Sequence, residues 1–348
     1  MIYLMFHDDW EIYGDGTGVP EVLMFEPARR ILDICDTYGA KYTFYAEIGQ
    51  QLNMLDAPAN SKWRKYANKW EGLVKDAIQR GHDVQLHFHP QWIGAELKND
   101  IWQLDYSKWN TGKIEYELLD EWIGNGTIYL RNLLKTVKSD YDVVSYRAGG
   151  WMCQPSKNLY KVLKKHCILC DVSVIKGRYK EFSDGGKIDF RYAYSNYEPW
   201  EVHPDDFAKK QEGSGLWELP VYSEASGLPH PVYLLSKSFR LLYYYNIFKK
   251  RRIQKGGGDY NPKTIKFGNK KDFYGSFGYM HYKHLLSFVK ELKKKEINRN
   301  EDTHLIFLTH SKSFLNYNNF EKLLDKLSSD ESINYTTTRS YVKNNLSI

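Results

Sequence analysis

Short apolar runs alternate along this chain with longer stretches in which apolar residues recur every three or four positions. The first run, IYLMF at 2–6, reads as a strand and meets the polar HDD at 7–9. Residues 26–38 carry the helical period, with Pro27 in the first turn and Gly39 as the stop. A strand is predicted at 42–46, a helix at 63–80 ending at Gly81, and a strand at 83–86. The rhythm continues with a helix at 116–137, a strand at 143–146, a helix at 155–166 and a strand at 168–174. It returns later with a helix at 282–294, a strand at 305–308 and a helix at 319–327. Strands followed by helices rather than by tight hairpins signify parallel βα units. Between about 177 and 278 the alternation breaks into a Tyr-, Gly-, Pro- and Lys-rich stretch holding one strand pattern at 217–221. That stretch reads as an insertion decorating a single α/β domain that spans 1–348.

The polar residues fall at particular places on this map. Asp8 and Asp9 follow the first strand, Glu47 the second, His87 and His89 the third, Arg147 the fourth and His310 the last. All are at C-terminal strand ends. In parallel barrels and open sheets alike, loops at that end converge on one face. The segment GHDVQLHFHP at 81–90 has a further property. Side chains two apart on an extended chain point the same way, so His87 and His89 can offer both imidazoles to one metal ion. A carboxylate from the first strand end, Asp8 or Asp9, would complete the set. Zinc suits a nitrogen-rich site with open positions, and imidazole serves nickel, cobalt and iron as well. Glu47 reads instead as a rim carboxylate.

Composition narrows the classes. With 49 Lys and Arg against 43 Asp and Glu, the net charge of +6 is too small to argue for nucleic-acid binding. No stretch reaches the length of a membrane span, and the N-terminus lacks the basic flank and cleavage region of a signal peptide, so a cytoplasmic protein is expected. Four cysteines are too few for a disulfide framework, and the C-x-x-C at 167–170 lacks a second pair. FRLLYYYNIFKKRR at 239–252 reads as a solvated insertion helix, with peripheral membrane contact or a grip on a pyrophosphate carrier as the alternative.

Taken in order, the motifs resemble those of polysaccharide deacetylases of carbohydrate esterase family 4, the group of chitin and peptidoglycan deacetylases. FHDDW is similar to the family's Asp-Asp pair, which implies Asp8 as catalytic base and Asp9 as metal ligand. GHDVQLH matches the approach to the metal histidine, implying His87. The family's second histidine lies four residues on, where this chain has Gln91, and His89 is the neighbouring alternative. SYRAGGW resembles the motif whose arginine orients the base, implying Arg147, with Gly150 as a backbone oxyanion donor. Apart from the motif, the Trp151 ring can stack on a sugar, with core packing as the alternative. CDVSV implies Asp171 as the residue tuning the catalytic histidine. FLTHS implies Leu308 lining an acyl pocket and His310 as general acid.

The resemblance implies a distorted parallel (β/α)7-type barrel. It also implies a metal-dependent N-deacetylase acting on an acetamido sugar of a cell-surface polysaccharide or its precursor. A glycoside hydrolase of a related barrel, needing two carboxylates about a glycosidic bond, is the alternative within the fold. A carbohydrate-binding protein without turnover is the alternative outside enzymes.

Overall fold

The computed structural model describes residues 1–225, 262–267, 272–278, 280–299, 302–314 and 316–346. The basic aromatic segment at 239–252 lies outside the described residues.

Among the described residues ten strands form the main sheet: β1 (Ile2–Trp10), β2 (Tyr42–Glu47), β3 (Asp83–Phe88), β4 (Ser145–Ala148), β5 (Cys170–Asp171), β6 (Trp200–His203), β7 (Asp206–Lys210), β8 (Trp217–Glu218), β9 (Thr303–Thr309) and β10 (Ile333–Tyr335). Their order is β7-β6-β8-β5-β4-β3-β2-β1-β9, with β10 paired to the first residues of β1. From β9 through β1, β2, β3, β4 and β5 to β8 every pairing is parallel. The hairpin β6-β7 then adds antiparallel strands, so the sheet is mixed. Within the stretch expected as decoration, β8 therefore continues the parallel run.

The sheet is curled. Ile306 of β9 packs in one buried cluster with Leu219 and Val221, which follow β8 at the far end of the parallel run. The His304 ring nitrogen Nε2 lies 3.0 Å from the Pro220 carbonyl oxygen. Among the described residues no hydrogen-bonded ladder joins β9 to β8. The barrel expected from the sequence is thus a curled sheet whose ends meet through side chains.

Helices cover its outer face: α1 (Glu26–Thr37), α2 (Ile48–Asp56), α3 (Lys62–Gln79), α4 (Tyr116–Lys135), α5 (Lys157–Lys165), α6 (Tyr282–Arg299) and α7 (Tyr317–Leu327). α3 starts at Ser61, whose side chain accepts from the Arg64 amide, and ends before Gly81 at φ 79°. Its Trp70 stacks 5.5 Å from Trp10 of β1. Phe6, Trp10, Phe44, Leu86 and Tyr146 all point to this helical layer. The alternate residues Met5, Tyr45 and Ile306 point inward. A last helix, α8 (Thr338–Asn345), fills the interior where the strands begin: Tyr341 and Val342 join the inner cluster, and the Tyr341 ring stands 5.4 Å from that of Tyr3.

Several elements differ from the sequence reading. β1 extends four residues beyond the apolar run, because parallel pairing with β2 continues from Phe6 to Trp10. The strand expected at 168–174 is reduced to Cys170–Asp171. α2 was not expected; it follows β2 directly because Glu47 caps it, accepting the Gly49 amide at 2.9 Å.

Candidate metal and catalytic site

Strand parity sorts the polar residues at the C-terminal ends. On β1 the residues alternating with Phe6 and Trp10 are His7 and Asp9, with Glu11 next in the same series. Asp83, Gln85 and His87 alternate on β3 with the buried outer residues Val84, Leu86 and Phe88. Thr43, Tyr45 and Glu47 on β2 and Arg147 on β4 likewise point inward.

Four of these side chains meet. Glu11, Glu47, His87 and His89 each offer one ligand atom, all within 4.8 Å of one another. His89 Nδ1 lies 3.0 Å from Glu11 Oε2 and 2.8 Å from Glu47 Oε2, and His87 Nε2 lies 3.9 Å from Glu11 Oε2. Glu47 is fully buried, and Glu11 and His87 nearly so. The rim position expected for Glu47 is corrected: the N-cap of α2 holds it inside.

The donors fit a divalent ion. His87 Nδ1 donates to the Arg147 carbonyl oxygen at 2.9 Å, which leaves Nε2 as the unprotonated nitrogen. That Nε2 is buried with no hydrogen-bond partner, an arrangement costly for a structural histidine and natural for a ligand. Burial drives the Glu47 carboxyl up to about 7, with Glu11 adding to the effect against His89. His89 is raised to about 10, because the two carboxylates outweigh its burial. Two imidazoles and two carboxylates suit zinc or its divalent neighbours.

Beside this group lies a second one. Burial works against the charge on Asp9, yet Arg147, His87 and His310 hold its pKa below the usual carboxylate range. Arg147 Nη1 donates to Asp9 Oδ1 at 2.5 Å and Nη2 to His7 Nδ1 at 2.7 Å, while its Nε donates to the Val172 carbonyl oxygen. The guanidinium carbon also stands 4.0 Å from the Tyr45 ring centre. His310 Nε2 faces Asp9 Oδ2 at 3.6 Å, and its side chain is 31% exposed. The Trp151 ring is 5.5 Å from the guanidinium carbon.

Several expectations need correction. Asp9 is not among the four clustered donors, and its carboxylate is committed to Arg147. Asp8 points to the opposite face, where it accepts from the Ser311 amide at 2.8 Å and from the Ser311 hydroxyl. Burial pushes it up to about 7, and Ser311 partly offsets this. Facing away from Asp9, it anchors the turn after His310 instead of reaching the pocket. Asp171 accepts from the amide and hydroxyl of Ser173 and lies beside Glu218 and Arg147. Gln91 is buried in the turn after His89. Leu308 shares the inward series of His304, Ile306 and His310 and is fully buried.

The backbone after β4 is unusual. Gly150 and Trp151 both have positive φ, 59° and 66°. Gly149 packs so closely on His89 that an added Cβ would stand 2.5 Å from two imidazole carbons.

No protein-family model matches the chain, and no curated protein matches it in sequence. Among solved structures, a GH57 branching enzyme from Thermococcus kodakaraensis aligns over 99% of this chain and 72% of its own, at 11% identity and TM-score 0.53. A 4-alpha-glucanotransferase from Thermococcus litoralis covers 99% of this chain at 14% identity and TM-score 0.52, and this chain spans 40% of that one. A putative polysaccharide deacetylase from Mycobacterium smegmatis covers 98% of this chain and 90% of its own, at 11% identity and TM-score 0.48. Such likenesses concern the fold; the chemistry rests on the side chains.

Proposed function

We propose that this chain is a metal-dependent hydrolase of a carbon-nitrogen bond, an N-deacetylase acting on an acetamido sugar of a glycan or glycan precursor. The observation that carries the reading is the buried group Glu11, Glu47, His87 and His89, with the orphaned His87 Nε2, next to an ionised carboxylate and a part-exposed histidine. Glu11, Glu47, His87 and His89 would hold a divalent ion, which would supply a polarised carbonyl and a more acidic water. Asp9, kept charged by Arg147, accepts the proton that an attacking water gives up. His310, across from Asp9 and open to solvent, supplies the proton that the departing nitrogen needs. The base is therefore Asp9 rather than Asp8, and Glu11 takes the place among the ligands expected of Asp9. Trp151 offers an aromatic face beside Arg147 against which a sugar ring can pack. The ordered sequence motifs support the same substrate class.

Purified full-length protein, supplied in turn with zinc, cobalt, nickel and manganese, is incubated with a panel of acetamido sugars while acetate is measured. Acetate release is expected. Asp9→Asn should lower it by about 10²- to 10⁴-fold with metal retained, the usual contribution of a general base, whereas Asp8→Asn should stay within a few fold of wild type. No acetate from any sugar with any metal would refute the reading. The two glucan-acting structures favour one rival, a glycoside hydrolase. New reducing ends without acetate would select it.

A further inference from the structure

Each of three ligands in the metal group has two atoms capable of coordination, and in each the protein occupies one of them. His87 Nδ1 is bonded to the Arg147 carbonyl oxygen, leaving Nε2. Glu47 Oε1 accepts the Gly49 amide at 2.9 Å, leaving Oε2 toward His89. Glu11 Oε1 accepts from Lys312 Nζ at 3.0 Å, leaving Oε2 at 3.0 Å from His89 Nδ1. Of the three restraining groups only Lys312 is a side chain. Its side chain is buried, 4% exposed, and its second contact fixes the ammonium in place: Nζ also donates to the Ile12 carbonyl oxygen at 3.1 Å. A buried ammonium is costly unless paired, so its presence at this carboxylate calls for a reason.

We infer that Lys312 is a positioning residue that restricts Glu11 to a single coordinating oxygen, and so turns the site toward small divalent ions that accept nitrogen donors and away from calcium. Calcium takes six to eight oxygens and relies on bidentate carboxylates, while zinc is satisfied by few, well-separated N and O donors. With Oε1 claimed by Lys312 and its counterpart on Glu47 claimed by the α2 amide, the group provides two nitrogens and two oxygens. That set is poor for calcium and leaves space for substrate and water. Removing the lysine frees the second oxygen of Glu11. The inference rests on the metal-site reading, and the experiment separates the two.

Zinc and calcium affinities of metal-stripped full-length wild type, Lys312→Met and Lys312→Arg are measured at one pH by competition with a chelator of known affinity, with circular dichroism confirming the fold. Loss of the positive charge strengthens binding of every divalent ion alike and cancels in the calcium-to-zinc ratio; the change in available oxygens does not cancel. The ratio is expected to rise at least about tenfold in Lys312→Met, the scale on which partners of metal ligands act, and to hold in Lys312→Arg. An unchanged ratio in Lys312→Met, with zinc still bound one per chain, overturns the role of Lys312 alone. Wild type that takes up no zinc overturns the metal site and this inference together. Should Lys312→Met fail to fold, Lys312→Gln, which can still donate to Glu11, is measured; a ratio raised as far as tenfold there would overturn the inference.

Discussion

At the scale of single residues, the site depends on side chains held in place by their neighbours. Asp9 is charged because Arg147 is bonded to it, and Arg147 is aimed because His7, Tyr45 and the Val172 carbonyl surround it. His7 accepts from Arg147 at Nδ1, so its Nε2 carries the proton toward Thr338 Oγ1 of α8, 2.9 Å away. Gly149 is the most exacting position: a methyl there collides with the His89 imidazole and with the Phe88 carbonyl oxygen. Gly149→Ala is therefore expected to displace His89 and lower zinc affinity by about 10- to 100-fold, as loss of a ligand's support does. Zinc titration of the stripped variant, with its circular dichroism compared to wild type, checks this. The two-residue spacing of His87 and His89 was legible from the sequence, since it needs only an extended backbone. Glu11 was legible in principle as well, two residues beyond Asp9 and on the same side; taking the strand to end at Phe6 hid it.

At the scale of elements, the short strands β5 and β8 share a buried carboxyl pair, Asp171 and Glu218, both fully inaccessible. Burial raises Asp171 to about 6 and Glu218 well above its ordinary value, the proximity of the two carboxyls adding to the latter. The folded state thus keeps protons that the unfolded chain releases near pH 4. The sign follows: the pair costs nothing at acidic pH, and stability declines as pH rises past the unfolded values through the raised folded ones. Glu218→Gln keeps an acceptor for the Val174 amide, which Glu218 Oε1 now takes at 2.9 Å, and removes one titration. It is expected to stabilise the protein at pH 8 by on the order of 1–3 kcal/mol and to lose that advantage toward pH 4. Thermal melts of both proteins at pH 5 and 8 test it, and a gain independent of pH would contradict this account. Element boundaries were read less well than element types, because the end of a parallel strand is set by its neighbour's pairing rather than by its own residues.

At the scale of the whole molecule, the curled sheet brings residues 11, 47, 87 and 89 to one point although they arise from separate parts of the chain. Such a group exists only in the folded state, so an ion that binds it shifts the folding equilibrium. Zinc at a hundredfold excess over its Kd adds about 2.7 kcal/mol. The melting temperature of stripped protein should therefore rise with added zinc, and the rise should vanish in His87→Ala; a zinc response kept by that variant would place the ion elsewhere. The sequence by itself determined the alternation of strands and helices, the gathering of polar residues at C-terminal strand ends, and the pair of histidines on one side of β3, because these follow from local periodicity and chain direction. Only the tertiary structure decided that Asp9 rather than Asp8 faces inward, that Glu47 is buried as the cap of α2, and that Lys312 reaches Glu11 across 301 positions. The physical reason is that both faces of a buried parallel strand exclude water, so polarity alone does not tell inside from outside, and which carboxylates become partners depends on strands meeting in space.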